Sequence, residues 1–250
     1  MVESKTTKKD ILIDYKYPSS FQSIRSRFGG DYGVYHDLNR GVSVLSSNEE
    51  LCQYLFSYGN MHEAKLIEAY KSLFEFLNAI GNKKIKIFDY ACGQGLATIV
   101  LLNYIENNFN YCLSNLLKII LVEPSKPALD RAKGFLSNSA SLRCVNKYFD
   151  DLIESDLRSC ESSTKIHIFS NILDMGDTYF KLKNMANLIS KSQSGANYFV
   201  CVSALNKDKL DDFMGMFKSF KGFESLSSFD GSFTNDQNWK IKFNIFRIGG

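Results

Sequence analysis

From Lys84 onward the chain repeats one unit: a short run rich in Ile, Val and Phe, then a longer stretch whose apolar residues recur at helical spacing. The short runs are "KIKIFDY" from Lys84, "KIILVEP" from Lys118, "SLRCVNKY" from Ser141, "KIHIFSNIL" from Lys165 and "NYFVCVSAL" from Asn197. Candidate helices cover Leu96 to Asn107, Lys126 to Leu136, Thr178 to Ser190 and Lys207 to Phe220. Strands that are apolar on both faces and separated by helices form a parallel sheet, because right-handed crossovers lay the helices over both faces. The tail departs from this alternation. "GFESLSSFDGSF" and "WKIKFNIFRIGG" are strand-like runs with no helix between them, and a direct connection of that kind makes an antiparallel pair. The pattern predicts an α/β fold: a doubly wound, mostly parallel seven-stranded sheet whose last strand is antiparallel, preceded by a helical and loop extension.

The extension has a different composition. The first ten residues read as disordered, and "SSFQSIRSRFGGDYGVYHDLNRGVS" is aromatic and broken by glycine. Ser47 followed by Glu50 is a capping-box pattern that opens a first helix. Leu66, Tyr70, Leu73 and Leu77 mark a second one, with Gly81 as its stop. We assign 1–60 to an N-terminal extension capping the functional site, and 61–250 to the α/β domain.

At 250 residues and 44% apolar content the chain can bury a substantial core. Its formal charge of +3 is carried by scattered Lys and Arg rather than a basic stripe, which argues against a nucleic-acid binder. No apolar run reaches the roughly 18 residues that would suggest a membrane span, and "MVESKTTKKD" lacks the apolar centre of a signal peptide. The expectation is a cytoplasmic protein with no membrane partner. Cys52, Cys92, Cys112, Cys144, Cys160 and Cys201 show no paired metal-ligand spacing, so they read as reduced structural thiols and no metal site is expected.

The chemistry concentrates in "FDYACGQGLAT". An acid, Asp89, ends the strand, Gly93 and Gly95 flank one residue, and a helix begins near Leu96. Glycines permit positive φ and close backbone approach to a ligand, while the helix start points free N–H groups and its positive end at the same space. The next strand ends in "ILVEPS", so Glu123 lies at a neighbouring carboxyl edge, where an acid can accept hydrogen bonds from both ribose hydroxyls. A nicotinamide dinucleotide fits less well. Thr98 stands where the third glycine of that fingerprint belongs, and Glu123 comes later than its acid.

"IFDYACGQG" followed by "LVEPS" resembles motif I and the acidic loop of the class I S-adenosylmethionine-dependent methyltransferases, a likeness that runs from Ile85 to Ile248. The resemblance implies S-adenosyl-L-methionine as cofactor, with Asp89, Gly93 and Gly95 lining its methionine side and Glu123 holding its ribose. Ala91, where the family often has glycine, Gln94, Pro124, Asp150 and Ser170 complete the expected cofactor set. At the position of the family's adenine-contacting acid stands Tyr148, with Asp150 and Asp151 beyond. Either the register slips by two residues or adenine is held differently. "SNIL" replaces the tetrapeptide of enzymes that methylate base amines, and no Pro-Cys or Thr-Cys nucleophile is present, so both nucleobase classes lose ground.

Asn171, Asp174 and His62 are the candidate catalytic residues. Ligands gather at the carboxyl ends of parallel strands, where the first two lie, although a strand-end turn with a solvated acid would show the same residues. His62 sits four residues before Leu66, near an apolar stripe, which fits a partly buried histidine; with Tyr58 and Lys65 it could equally line the site. His167, inside a strand, reads as packing, and Cys92 as a small residue in the loop. The expected activity is methyl transfer to oxygen or nitrogen of a small molecule or protein side chain. A module that binds the cofactor without transfer is the alternative, and RNA methylation a weaker one.

Overall fold

The computed structural model of the protein describes residues 32–77, 84–108, 116–159, 163–178, 180–203, 207–232 and 239–249. The first ten residues, Gly81, Cys112 and Cys160 lie outside them.

In chain order the elements are α1 (Asn48–Leu77), β1 (Ile85–Tyr90), α2 (Leu96–Asn108), β2 (Leu116–Val122), α3 (Lys126–Leu136), β3 (Ser141–Val145), α4 (Glu154–Leu157), β4 (Thr164–Ser170), α5 (Leu182–Ser192), β5 (Asn197–Ser203), α6 (Lys207–Gly215), β6 (Glu224–Ser232) and β7 (Lys240–Ile248). The strands form one sheet of seven in the order β3-β2-β1-β4-β5-β7-β6. β1 to β5 pair in parallel, and β7 runs antiparallel between β5 and β6. The doubly wound sheet with its antiparallel last strand is as the alternation predicted.

Side chains alternate between the two faces. Ile85, Ile87, Ile119, Leu121, Ile166 and Ile168 join α1, α2 and α3 in one core. Phe88, Tyr90, Phe169, Phe199 and Phe246 join α5 and α6 in the other. The second face carries a stack of rings across four strands. Tyr90 lies 4.5 Å from Phe169, His167 lies 4.6 Å from Phe199, and Phe199 lies 4.5 Å from Phe246. Within the stack, Tyr90 Oη donates to His167 Nδ1 at 3.0 Å and His167 Nε2 donates to Asn197 Oδ1 at 3.1 Å. Both ring nitrogens are thereby satisfied by neutral partners, consistent with a packing role.

Helix boundaries differ from the sequence pattern in three places. Two helices were expected across 48–77; a single helix of 30 residues is found. Leu51, Leu55, His62, Leu66, Ala69, Tyr70 and Leu73 make one unbroken buried stripe, which outweighs the ~1 kcal/mol cost of Gly59 in a helix interior. The capping box does open it: Glu50 N–H donates to Ser47 Oγ and Ser47 N–H to Glu50, each at 3.1 Å. α5 starts at Leu182 rather than Thr178, because Phe180 forms an isolated bridge with Gly176 and Lys181 has an extended backbone (φ −89°, ψ 110°) that a helix interior does not accommodate. α6 stops at Gly215, and the chain continues as turns that bury Phe217.

Strand order reverses at β1, which has β2 and β3 on one side and β4 and β5 on the other. In such sheets the crevice for ligands opens at this switch point, beyond the carboxyl ends of the strands.

Candidate active site

β1 delivers Asp89 to the crevice, and the turn after it runs Ala91 to Gly95 before α2. Three of its residues have positive φ: Ala91 at 52°, Gly93 at 51° and Gly95 at 80°. This explains why a glycine suits position 91, and alanine tolerates it at a cost of about 1 kcal/mol. The two glycines serve different needs. A Cβ on Gly95 would meet Ala132 Cβ at 3.1 Å and Leu136 Cδ1 at 3.2 Å, so this glycine lets the loop pack on α3. A Cβ on Gly93 would meet nothing within 4 Å, which leaves open space above that backbone.

Asp89 is buried. Its Oδ2 accepts from Thr98 Oγ1 at 2.7 Å and Thr98 N–H at 3.2 Å, while Oδ1 has no hydrogen-bond partner among the described residues. Burial pushes its carboxyl up to about 7, against the lowering effect of the Thr98 bonds, with a further upward contribution from Glu123. Glu123, just past β2, is also buried; Oε2 accepts from Gly93 N–H at 2.9 Å and Oε1 from Ser125 N–H at 2.8 Å. Burial raises its pKa and these two bonds lower it. The cradle fits a cationic, hydroxylated ligand: an unsatisfied buried carboxylate oxygen, a second carboxylate at the end of the adjacent strand, and open space over Gly93.

Gln94 does something its sequence position does not disclose. Its Nε2 donates to Leu51 O at 2.9 Å and its Oε1 accepts from buried Arg131 Nη1 at 2.8 Å. Arg131 also donates to Asn48 at the start of α1, and Ser125 Oγ donates to Leu45 O. These contacts pin the segment before α1 and its first turns over the crevice. The aromatic side chains of that segment follow the same line. Tyr54 packs 5.3 Å from Tyr58 and 5.8 Å from His62, and its hydroxyl pKa is raised by burial and by the neighbouring Glu123 carboxylate.

At the far end of the crevice α1 meets β4. Asn171, with φ of 60°, donates from Nδ2 to His62 Nδ1 at 3.0 Å and to Ser170 Oγ at 3.0 Å, and its backbone N–H bonds Val202 O at 2.8 Å. The His62 proton is therefore on Nε2. Burial, helped by the Lys65 charge, lowers the His62 pKa to about 3, so the ring is neutral at physiological pH. Asp174, in the 3-10 turn Leu173–Met175, accepts from Ser203 Oγ at the end of β5. His62, Ser170 and Asn171 thus converge, although 109 residues separate His62 from Asn171.

The third loop is different. Asn146 Nδ2 donates to Glu123 O and Pro124 O, holding the β2 and β3 turns together, and Tyr148 is exposed. Asp150 is exposed too, accepting from Lys181 N–H at 3.5 Å and lining an open groove with Asn184 and Lys191. Cys92 is a buried free thiol with its pKa raised by burial, and Cys52, Cys144 and Cys201 are free as well. No helix among the described residues is long and apolar enough to cross a membrane.

No protein-family model matches this chain, and no curated protein matches it in sequence. Solved structures do match it in fold. One is a SAM-dependent methyltransferase from Leishmania major, 12% identical, with a TM-score of 0.50 over 90% of this chain and 90% of that one. Another is the N-methyltransferase NodS from Bradyrhizobium japonicum in complex with S-adenosyl-L-homocysteine, 10% identical, with a TM-score of 0.52 over 87% of this chain and 99% of that one. The chain therefore has the fold of the class I S-adenosylmethionine-dependent methyltransferases.

Proposed function

We propose that the protein is an S-adenosylmethionine-dependent methyltransferase acting on oxygen or nitrogen of a small molecule or a protein side chain. One observation carries the reading: at the switch point of the sheet, buried Asp89 with a partnerless oxygen and buried Glu123 flank a turn with three positive-φ residues and open space at Gly93. The fold is shared with proteins whose names call them methyltransferases.

S-adenosyl-L-methionine, when bound, supplies a sulfonium methyl for in-line displacement. Asp89 is the residue for its positively charged methionine end, and Glu123 the residue for its ribose hydroxyls. Gly93 contributes the clearance that lets the backbone approach. On the opposite side of the crevice, Asn171 fixes the His62 ring and its tautomer, so His62 presents an N–H donor rather than a base. That suits orientation of an acceptor and not removal of its proton. The segment pinned over the crevice, including Tyr54 and His62, restricts entry to a small molecule or a single side chain and excludes water from the reacting groups.

Calorimetry with S-adenosylmethionine and S-adenosylhomocysteine tests the cofactor assignment, with micromolar binding expected. Production of S-adenosylhomocysteine on addition of cell extract tests transfer. Folded protein that binds neither compound would sink the proposal.

A further inference from the structure

On the face of α1 that carries His62, one turn further along, Lys65 is fully buried and its Nζ has no hydrogen-bond partner among the described residues. The ionisable groups acting on this ammonium are known. Its charge lowers the pKa of His62; Asp174, in the 3-10 turn after β4, favours its protonation, while burial opposes it more strongly and brings its pKa to about 8. It is thus mostly charged at neutral pH. An ammonium taken out of water without an acceptor is costly, since neither hydration nor a hydrogen bond compensates its charge. Where such a group lies at the carboxyl ends of the strands, beside the candidate acceptor residues, a ligand can bring the missing acceptor.

We propose that Lys65 is the anion-binding group of the acceptor pocket and that the methyl acceptor carries a carboxylate. The placement of an acceptor there rests on the methyltransferase reading; the anion site rests on the side chains themselves. Charge count selects the anion. Neutral His62 adds no positive charge and Asp174 adds a negative one, so Lys65 is a single ammonium point charge already partly offset, and a monoanion is repelled less by Asp174 than a phosphate dianion is. Asp174 helps to keep Lys65 protonated before the acceptor arrives. Lys65 then decides which molecules enter, a specificity role.

The test uses the full chain, labelled with carbon-13 at lysine Cε and saturated with S-adenosylhomocysteine. Acetate is titrated in while the Lys65 resonance is followed by NMR, with acetamide as the neutral match and inorganic phosphate as the dianion. The expected result is a saturable shift with acetate, none with acetamide, and a Lys65 titration midpoint that rises in acetate. Lys65→Met should weaken acetate binding at least about tenfold, leave S-adenosylhomocysteine affinity unchanged, and give an unliganded protein as thermally stable as the parent or more so. A Lys65 resonance indifferent to acetate, a tighter response to phosphate, or a Met variant several degrees less stable would each overturn the proposal, the last by showing that the ammonium is structural. Failure to bind S-adenosylhomocysteine is a separate outcome: it removes the cofactor assignment, while the acetate response still decides the anion site.

Discussion

Glu123 accepts the Gly93 N–H at 2.9 Å, so a carboxylate from the turn after β2 holds the glycine turn after β1 in place. The same group is the one assigned to the ribose. Replacing it therefore removes both a ligand contact and the restraint on the loop that surrounds the ligand. Glu123→Ala should weaken S-adenosylhomocysteine binding by at least about tenfold, since a hydrogen bond to a charged group is worth ~1.5 to 3 kcal/mol. Calorimetry checks the affinity, and faster amide exchange at Gly93 checks the loop.

The high pKa of Asp89, about 7, has a sign that can be worked out. Its folded value lies above the ordinary 3.8, so the unliganded fold favours the protonated form and loses stability as pH rises from about 4 to 7. A cationic ligand favours the ionised form. S-adenosylmethionine binding should therefore tighten as pH rises from 6 towards 7, by up to about tenfold per unit, and release a proton at pH 6. Asp89→Asn should bind weakly and lose this pH dependence. Calorimetry in buffers of different ionisation enthalpy measures both; a flat profile in the parent protein would contradict the assignment.

Gly93 and Gly95 should separate by substitution. Gly95→Ala places a methyl against Ala132 and Leu136 at positive φ, and a loss of about 1 to 3 kcal/mol of stability is expected from overpacking and strain. Gly93→Ala meets no protein atom within 4 Å and should cost only about 1 kcal/mol of stability, from φ alone, yet it projects into the space assigned to the ligand. Thermal unfolding should rank Gly95→Ala as the less stable, and calorimetry should show Gly93→Ala as the weaker binder.

His167 should make stability pH-dependent in the opposite sense to Asp89. Burial holds its pKa at about 3, against 6.5 ordinarily, so its contribution is whole above pH 6.5 and declines as pH falls from there towards 3. The stability lost in His167→Gln should shrink on going from pH 7 to pH 5, by up to ~1.4 kcal/mol per unit. Urea unfolding at the two pH values gives the difference.

Gln94→Leu removes the link between the glycine turn, Leu51 and Arg131. A buried Arg131 loses one acceptor and Leu51 O loses its donor, so a loss of about 1 to 3 kcal/mol is expected. Exchange of amides over 46–55 should quicken while those of β4 and β5 stay protected.

The sheet was legible because its information is local. Each run such as "KIHIFSNIL" has the composition of a strand covered on both faces, each intervening stretch has a helical period, and the missing helix before "WKIKFNIFRIGG" already requires β7 to be antiparallel. Ser47 and Glu50 likewise announce the start of α1, because a capping box lies within four residues. Asp89, Gly93, Gly95 and Glu123 could be picked out since a turn geometry and two strand ends impose residue types at fixed spacing.

Other features depend on distances that no local pattern contains. The two helices expected across 48–77 are one, because tertiary burial of a continuous stripe overrides the cost of Gly59. Gln94, placed among ligand-facing residues by position, turns to Leu51 and Arg131, since which neighbour a loop side chain meets depends on how α1 docks. The two glycines look alike in "CGQG", and only the approach of α3 assigns one to packing and leaves the other facing open space. The sequence by itself determined the strands, the turn and the two acids. Only the tertiary structure brought Asn171 to His62 and buried Lys65 beside Asp174, because hydrogen bonding and desolvation act between groups that the chain separates by about a hundred residues and the fold brings together.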